Sequence, residues 1–152
     1  MDDSKVKILI VDDKADKILA LEAVLEELGQ TIVRAYSGRE ALRCLLNEDF
    51  AVILLDVQMP GVDGYETAVL IRERQRSRQT PIIFLTANDF GSQHVFRGYT
   101  VGAVDYLVKP VAPDVLRSKV AVFVELFNKQ EALRLAQEEL EWRVLERTRE
   151  LA

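Results

Sequence analysis

Four short apolar runs each end in a residue able to do chemistry. Residues 52–55 (Val-Ile-Leu-Leu) stop at Asp56, and residues 7–11 stop at Asp12-Asp13. Residues 81–85 stop at Thr86, and residues 106–108 stop at Lys109. The runs are too short for helices and rich in β-branched residues, so they read as buried strands. In an open parallel sheet the crevice outside the carboxyl ends of the strands is where ligands bind. That crevice receives three carboxylates, a hydroxyl and an ammonium. Clustered carboxylates repel one another unless a cation joins them, and hard oxygen donors suit Mg²⁺. Asp12, Asp13 and Asp56 therefore form a candidate divalent-cation site. Lys109 and Thr86 add a positive charge and a hydroxyl donor, which suit a dianionic phosphoryl group. A carboxylate such as Asp56 can itself act as nucleophile and form an aspartyl phosphate.

Taken singly, each residue has a plainer use. Asp56 could simply open a turn and Asp12-Asp13 cap a helix. Thr86 and Lys109 are ordinary strand and surface residues, and joint placement at strand ends makes the set. His94 reads as an exposed helix residue, because no second His or Cys stands at metal-binding spacing.

The elements that must hold these residues alternate. Residues 14–28 have helical apolar spacing and stop at Gly29. Residues 31–36 form a more polar strand suited to a sheet edge. Ser37 and Glu40 suggest a capping box for a helix carrying Ala41, Leu42, Leu45 and Leu46. A helix over 65–76 is expected to turn Ala68, Val69 and Ile71 inward. A weaker helical stretch carries Val95, Phe96 and Tyr99, with Gly98 and Gly102 loosening it. Strand and helix alternate five times, which predicts an α/β fold with a doubly wound five-stranded parallel sheet.

Pro113 and Asp114 suit the first turn of the last helix. From Asp114 to Ala152 there is neither Gly nor Pro, so this helix could run roughly 55–60 Å. Leu126, Leu133 and Leu140 repeat every seven residues. Taken as d positions, they place Phe123, Gln130, Gln137, Val144 and Leu151 at a, a modest dimeric coiled coil. The alternative is one amphipathic helix folding back on its domain, with Leu135, Trp142 and Leu145 as a second stripe.

Composition narrows the classes. The 152 residues are 49% hydrophobic and 30% charged, ordinary for a folded domain. A net charge of −5 disfavours nucleic acid as the main partner. The one cysteine, Cys44, excludes a disulfide framework within one chain. No run approaches the roughly 18 apolar residues that span a membrane, and the N-terminus lacks signal-peptide features. A cytoplasmic location is expected. Neither G-x-G-x-x-G nor G-x-x-x-x-G-K-[ST] occurs, which disfavours a nucleotide-binding protein. A haloacid-dehalogenase-type phosphatase needs Asp-x-Asp after its first strand, whereas this strand ends Asp12-Asp13-Lys14.

Val11-Asp12-Asp13, the stretch from Leu55 through Asp56 to Gly64, Leu85-Thr86-Ala87 and Lys109-Pro110 together resemble the response-regulator receiver domain of two-component signalling. The resemblance covers residues 6–127. It implies a flavodoxin-like strand order of 2-1-3-4-5 and makes Asp56 the phosphoacceptor for a kinase phosphohistidine. It further implies that Asp13, Asp56 and the main-chain carbonyl of Gln58 coordinate Mg²⁺, with Asp12 acting mainly through a water. Lys109 would pair with a phosphoryl oxygen. Thr86 would move to hydrogen-bond another while Tyr106 turns inward, and small Ala87 would leave the path open. The Lys109–Pro110 bond is expected to be cis, and Gln58 and Asn88 flank the site where the lifetime of the phosphoryl group is tuned.

The tail from Glu141 to Leu151 resembles signalling helices that lead into sensor, histidine-kinase or cyclase modules. The expected organisation is therefore a receiver at 1–127 and a helical coiled-coil extension at 128–152, linking to an output module outside this chain, as in hybrid kinases. The chain itself is expected to accept a phosphoryl group and lose it again rather than act as an enzyme. Its expected partners are a histidine kinase or phosphotransfer protein and a second copy paired in parallel through the helix, with neither nucleic acid nor membrane. The competing readings are a passively dimerising phosphate shuttle and a degenerate receiver that works by binding alone.

Overall fold

The computed structural model describes residues 5–87 and 105–151. Five parallel strands form one sheet: β1 (Lys7–Val11), β2 (Thr31–Ala35), β3 (Val52–Asp56), β4 (Ile82–Thr86) and β5 (Asp105–Val108). Their spatial order is β2-β1-β3-β4-β5, as the resemblance implied. The more polar β2 lies at one edge, and β3, buried at every residue, lies at the centre.

Alternate residues of the strands feed two cores, because successive side chains of a strand point to opposite faces. Leu9, Val11, Ile53, Leu55, Ile82 and Phe84 face α2 (Gly38–Asn47) and α3 (Gly64–Glu73). Ile8, Ile10, Val52, Leu54, Ile83 and Leu85 face α1 (Ala15–Leu25) and the terminal helix α4 (Pro113–Leu151). The sheet is thus covered on both sides, which is the doubly wound arrangement.

Local chemistry sets most element ends. The first helix stops at Leu25 and tightens into a 3₁₀ turn, Glu26–Leu28. Gly29 closes it at φ 69°, a left-handed conformation that glycine adopts freely. Ser37 Oγ accepts the N–H of Glu40 at 3.1 Å, but Glu40 reaches back to the N–H of Tyr36, one residue before the box position. The full capping box lies at Asp63 and Glu66.

One expectation is corrected and one alternative is set aside. The inward face of α3 is Tyr65, Thr67, Ala68 and Ile71, while Val69 is exposed. The Asp63 cap starts α3 at Gly64 and fixes its phase, and Thr67 donates to the Asp63 carbonyl at 2.8 Å. The terminal helix neither breaks nor folds back. Its last buried residue is Val124, and Leu135, Trp142 and Leu145 are exposed. Phe123, an a position of the heptad, is half-buried and packs with Leu116, Val120 and Val124 in the second core. The helical stretch expected around Val95, Phe96 and Tyr99, together with His94 and Asn88, lies outside the described residues.

Candidate functional site

Two strand ends, those of β1 and β3, bring the acidic group together. Asp12 follows β1 directly, and its N–H donates to the carbonyl of Ala35 at 3.1 Å. Its Oδ1 accepts the N–H of Lys14 at 3.0 Å. Its Oδ2 is buried and has no hydrogen-bond partner among the described residues. Asp56 ends β3 and is 4% exposed, while Asp12 is 1% exposed. One oxygen from each of Asp12, Asp13 and Asp56 falls within 4.8 Å of the others, with Asp13 the most open to solvent. Burial pushes the Asp12 carboxyl above its ordinary value; the Lys14 N–H and Lys109 oppose this, and Asp56 and Asp13 add to it.

The ammonium comes from the loop after β5. Lys109 Nζ donates to Asp56 Oδ1 at 2.8 Å and lies 3.9 Å from Asp12 Oδ2. Its N–H donates to the Thr86 carbonyl at 2.7 Å, and the Lys109–Pro110 bond is cis. The backbone therefore ties the lysine to the end of β4, which carries the Thr86 hydroxyl. Thr86 is 7% exposed.

The loop after Asp56 is shaped by close approach. The Gly64 N–H donates to the Val57 carbonyl at 2.9 Å. A Cβ on Gly64 would stand 2.3 Å from the Asp56 carbonyl oxygen and 2.8 Å from Val57 Cα. Only glycine lets the start of α3 lie against the end of β3. Gly61 turns the loop at φ 77°, and Gln58, two residues after Asp56, is exposed.

The donor set fits a magnesium ion. A desolvated carboxylate oxygen with no donor, beside two further carboxylates, is costly unless a cation completes it. Oxygen-only donors with one open side suit an ion that keeps several waters.

The sequence profile of the response regulator receiver domain matches residues 8–121. The chain belongs to this family.

Among curated relatives, the transcriptional regulatory protein ResD of Bacillus subtilis is 42% identical over 110 residues. That match covers 72% of this chain and 44% of that protein. A probable cyclic di-GMP phosphodiesterase of Vibrio cholerae is 35% identical over 148 residues, covering 97% of this chain and 33% of that protein. The receiver domain of a signal transduction histidine kinase from Syntrophus aciditrophicus superposes with a TM-score of 0.72 at 33% identity. It covers 79% of this chain and 90% of that one. The chain spans about a third to a half of the length of these curated relatives.

The receiver structure thus brings Asp12, Asp13, Asp56, Thr86 and Lys109 to one end of the sheet. Tyr106 lies one layer deeper, half-buried, its ring 5.4 Å from Phe84. Sequence reasoning missed Tyr65, which is 1% exposed, packs its ring at a tilt against Phe84 with centroids 4.8 Å apart, and brings its hydroxyl to 3.5 Å from that of Tyr106. The signal was there in Asp63-Gly64-Tyr65-Glu66, where the capping pair fixes the helix start and so turns Tyr65 inward.

Proposed function

We propose that this receiver takes a phosphoryl group from a kinase phosphohistidine onto Asp56 and passes the change of state along the terminal helix. The observation that carries the reading is the buried Asp12 Oδ2, which has no hydrogen-bond partner among the described residues and stands beside an Asp56 already engaged by Lys109. Such a site is poised for a cation and an incoming phosphoryl group. Asp13, Asp56 and the Gln58 carbonyl would hold Mg²⁺, with Asp12 supporting it through water. Bound there, Mg²⁺ supplies charge neutralisation for the phosphoryl oxygens.

The protein's own groups do the rest. An Asp56 carboxylate oxygen forms the new P–O bond as the N–P bond to the donor imidazole breaks, and the imidazole nitrogen keeps the electron pair. Lys109 then exchanges its contact with Asp56 for one with a phosphoryl oxygen. The Thr86 hydroxyl turns to another phosphoryl oxygen, and Tyr106 follows it inward. Water later hydrolyses the acyl phosphate, so the chain acts as a reversible acceptor rather than as an enzyme.

In this reading residues 1–127 form the receiver and residues 128–152 a helical extension. The extension pairs with a second copy and leads to an output module, in the cytoplasm. Support comes from the Vibrio relative, whose match runs through the terminal helix in a protein about three times as long. The test is intact mass after incubation with acetyl phosphate and Mg²⁺. Wild type is expected to gain one phosphoryl group, lost with EDTA, and Asp56→Ala to gain none. Absence of a gain in wild type would overturn the chemistry. Truncation at Asn128 separates a switch from a shuttle, because a shuttle keeps everything but its dimer.

A further inference from the structure

The terminal helix carries an exposed apolar stripe that shares Leu126, Leu133, Leu140, Val144 and Leu151 with the heptad but departs from it toward the receiver, taking in Val115 and Val122 in place of Leu116 and Phe123. Val115, Val122, Leu126 and Leu133 are spaced by 7, 4 and 7 residues, and Leu133, Leu140, Val144 and Leu151 by 7, 4 and 7 again. All seven are exposed. The repeat is 18 residues, five turns at 3.6 residues per turn, so the stripe stays within about 40° around a straight helix. A strict heptad drifts by about 20° per repeat on a straight helix and needs supercoiling to close. Traced toward the receiver, the heptad's a positions drift into the domain, where Phe123 is already packed. The 18-residue stripe does not. It lies roughly 140° around the helix from the buried Leu116, Val120 and Val124.

We infer that a second copy of this chain docks along this stripe, parallel and in register, so that the seam is nearly straight and begins on the receiver itself at Val115 and Val122. The inference rests on the pairing reading above and specifies its face. The occupant follows from three observations. A two-fold seam is self-complementary, and one stripe of Val and Leu repeated at one azimuth can meet its own copy at every level. The opposite stripe, Leu135, Trp142 and Leu145, prolongs the face that the receiver body covers from Leu116 to Val124. An in-register partner is therefore blocked on that side but has an open path along the other. The stripe is also continuous over the whole helix, about 58 Å at 1.5 Å per residue. Solvated monomers rarely leave so long an apolar surface uncovered.

The start of the seam also borders the switch. Lys119 stands between Val115 and Val122 on the helix and pairs with Asp105. The other oxygen of Asp105 accepts the N–H of Tyr106. A movement of Tyr106 therefore reaches the seam through one residue and one ion pair.

Disulfide cross-linking of the full chain tests this in a Cys44→Ala background. Val122→Cys and Val144→Cys lie on the stripe, Gln130→Cys lies on the heptad alone, and Trp142→Cys lies on the domain-facing side. Under copper-phenanthroline oxidation, the first two are expected to link at least five times faster than the others. Linking at Gln130 and Val144 with none at Val122 would replace the straight seam by a heptad confined to the extension. Linking at Trp142 would place the partner on the other face. A monomer by light scattering with no linking anywhere would overturn both the seam and the pairing. Phosphoryl uptake by mass on the same samples reports separately on Asp56, so failure of the receiver chemistry is distinguishable from failure of the seam.

Discussion

Replacing Asp12 by Asn should make the metal-free protein more stable while weakening its response to magnesium. Asp12 Oδ2 is buried without a hydrogen-bond partner among the described residues, and Lys109 stands too far off, at 3.9 Å, to serve it. An unsatisfied buried polar atom costs about 1–3 kcal/mol, and repulsion from Asp56 and Asp13 adds to it. Asparagine removes the charge and keeps the shape, and its Oδ1 can still accept from Lys14. We expect the Asp12→Asn protein to gain about 1–2 kcal/mol in urea unfolding at neutral pH with EDTA present. In wild type, magnesium at a hundred times its Kd should restore about 2.7 kcal/mol by mass action; in Asp12→Asn it should restore far less.

The sign of the pH dependence follows from the raised carboxyl. Above the unfolded value of 3.8 the folded state holds this proton more tightly than the unfolded chain. Stability from this group is therefore fully present below that value and is lost as pH rises through the folded one. The gap between Asp12→Asn and wild type should widen over that window in EDTA and close with magnesium. Equal or lower stability of the metal-free variant, or a gap independent of pH, would refute the reasoning.

Other substitutions carry opposite or different signs. Lys109→Met removes the cation that holds Asp56 at 2.8 Å and should destabilise the metal-free protein by about 1–3 kcal/mol in the same urea assay. Stability equal to wild type would show that the ion pair does not hold the carboxylates together. Gly64→Ala puts a Cβ 2.3 Å from the Asp56 carbonyl and should lose about 3 kcal/mol by overpacking. Its phosphoryl uptake should fall as well, because the strand end must shift. Asp63→Ala removes the capping box of α3 and should lose about 1 kcal/mol with phosphoryl uptake unchanged, checked by thermal melting and intact mass.

Much of this protein is local in its sequence. The strands are legible because each is an apolar run long enough to cross a sheet and short enough to exclude a helix, and because Asp56, Thr86 and Lys109 interrupt the runs where the sheet ends. Gly29, Ser37 and Pro113 mark helix ends through backbone preference and capping, which act over three or four residues. The edge position of β2 shows in its polar residues. These features need no knowledge of what packs where.

Contacts between distant segments decided the rest. Val69 and Thr67 exchange places because the phase of α3 is set by Asp63 and by the fit of Gly64 against Asp56, which the periodicity of the helix alone does not contain. Tyr65 meets Tyr106 only because β4 lies between them and offers Phe84 to both. The orphaned oxygen of Asp12 depends on how deeply β1 is buried and on how far Lys109 reaches across the sheet. The same holds for the terminal helix. Its leucines satisfy a heptad and an 18-residue repeat equally well, and only the packing of Phe123 into the core tells which face remains open.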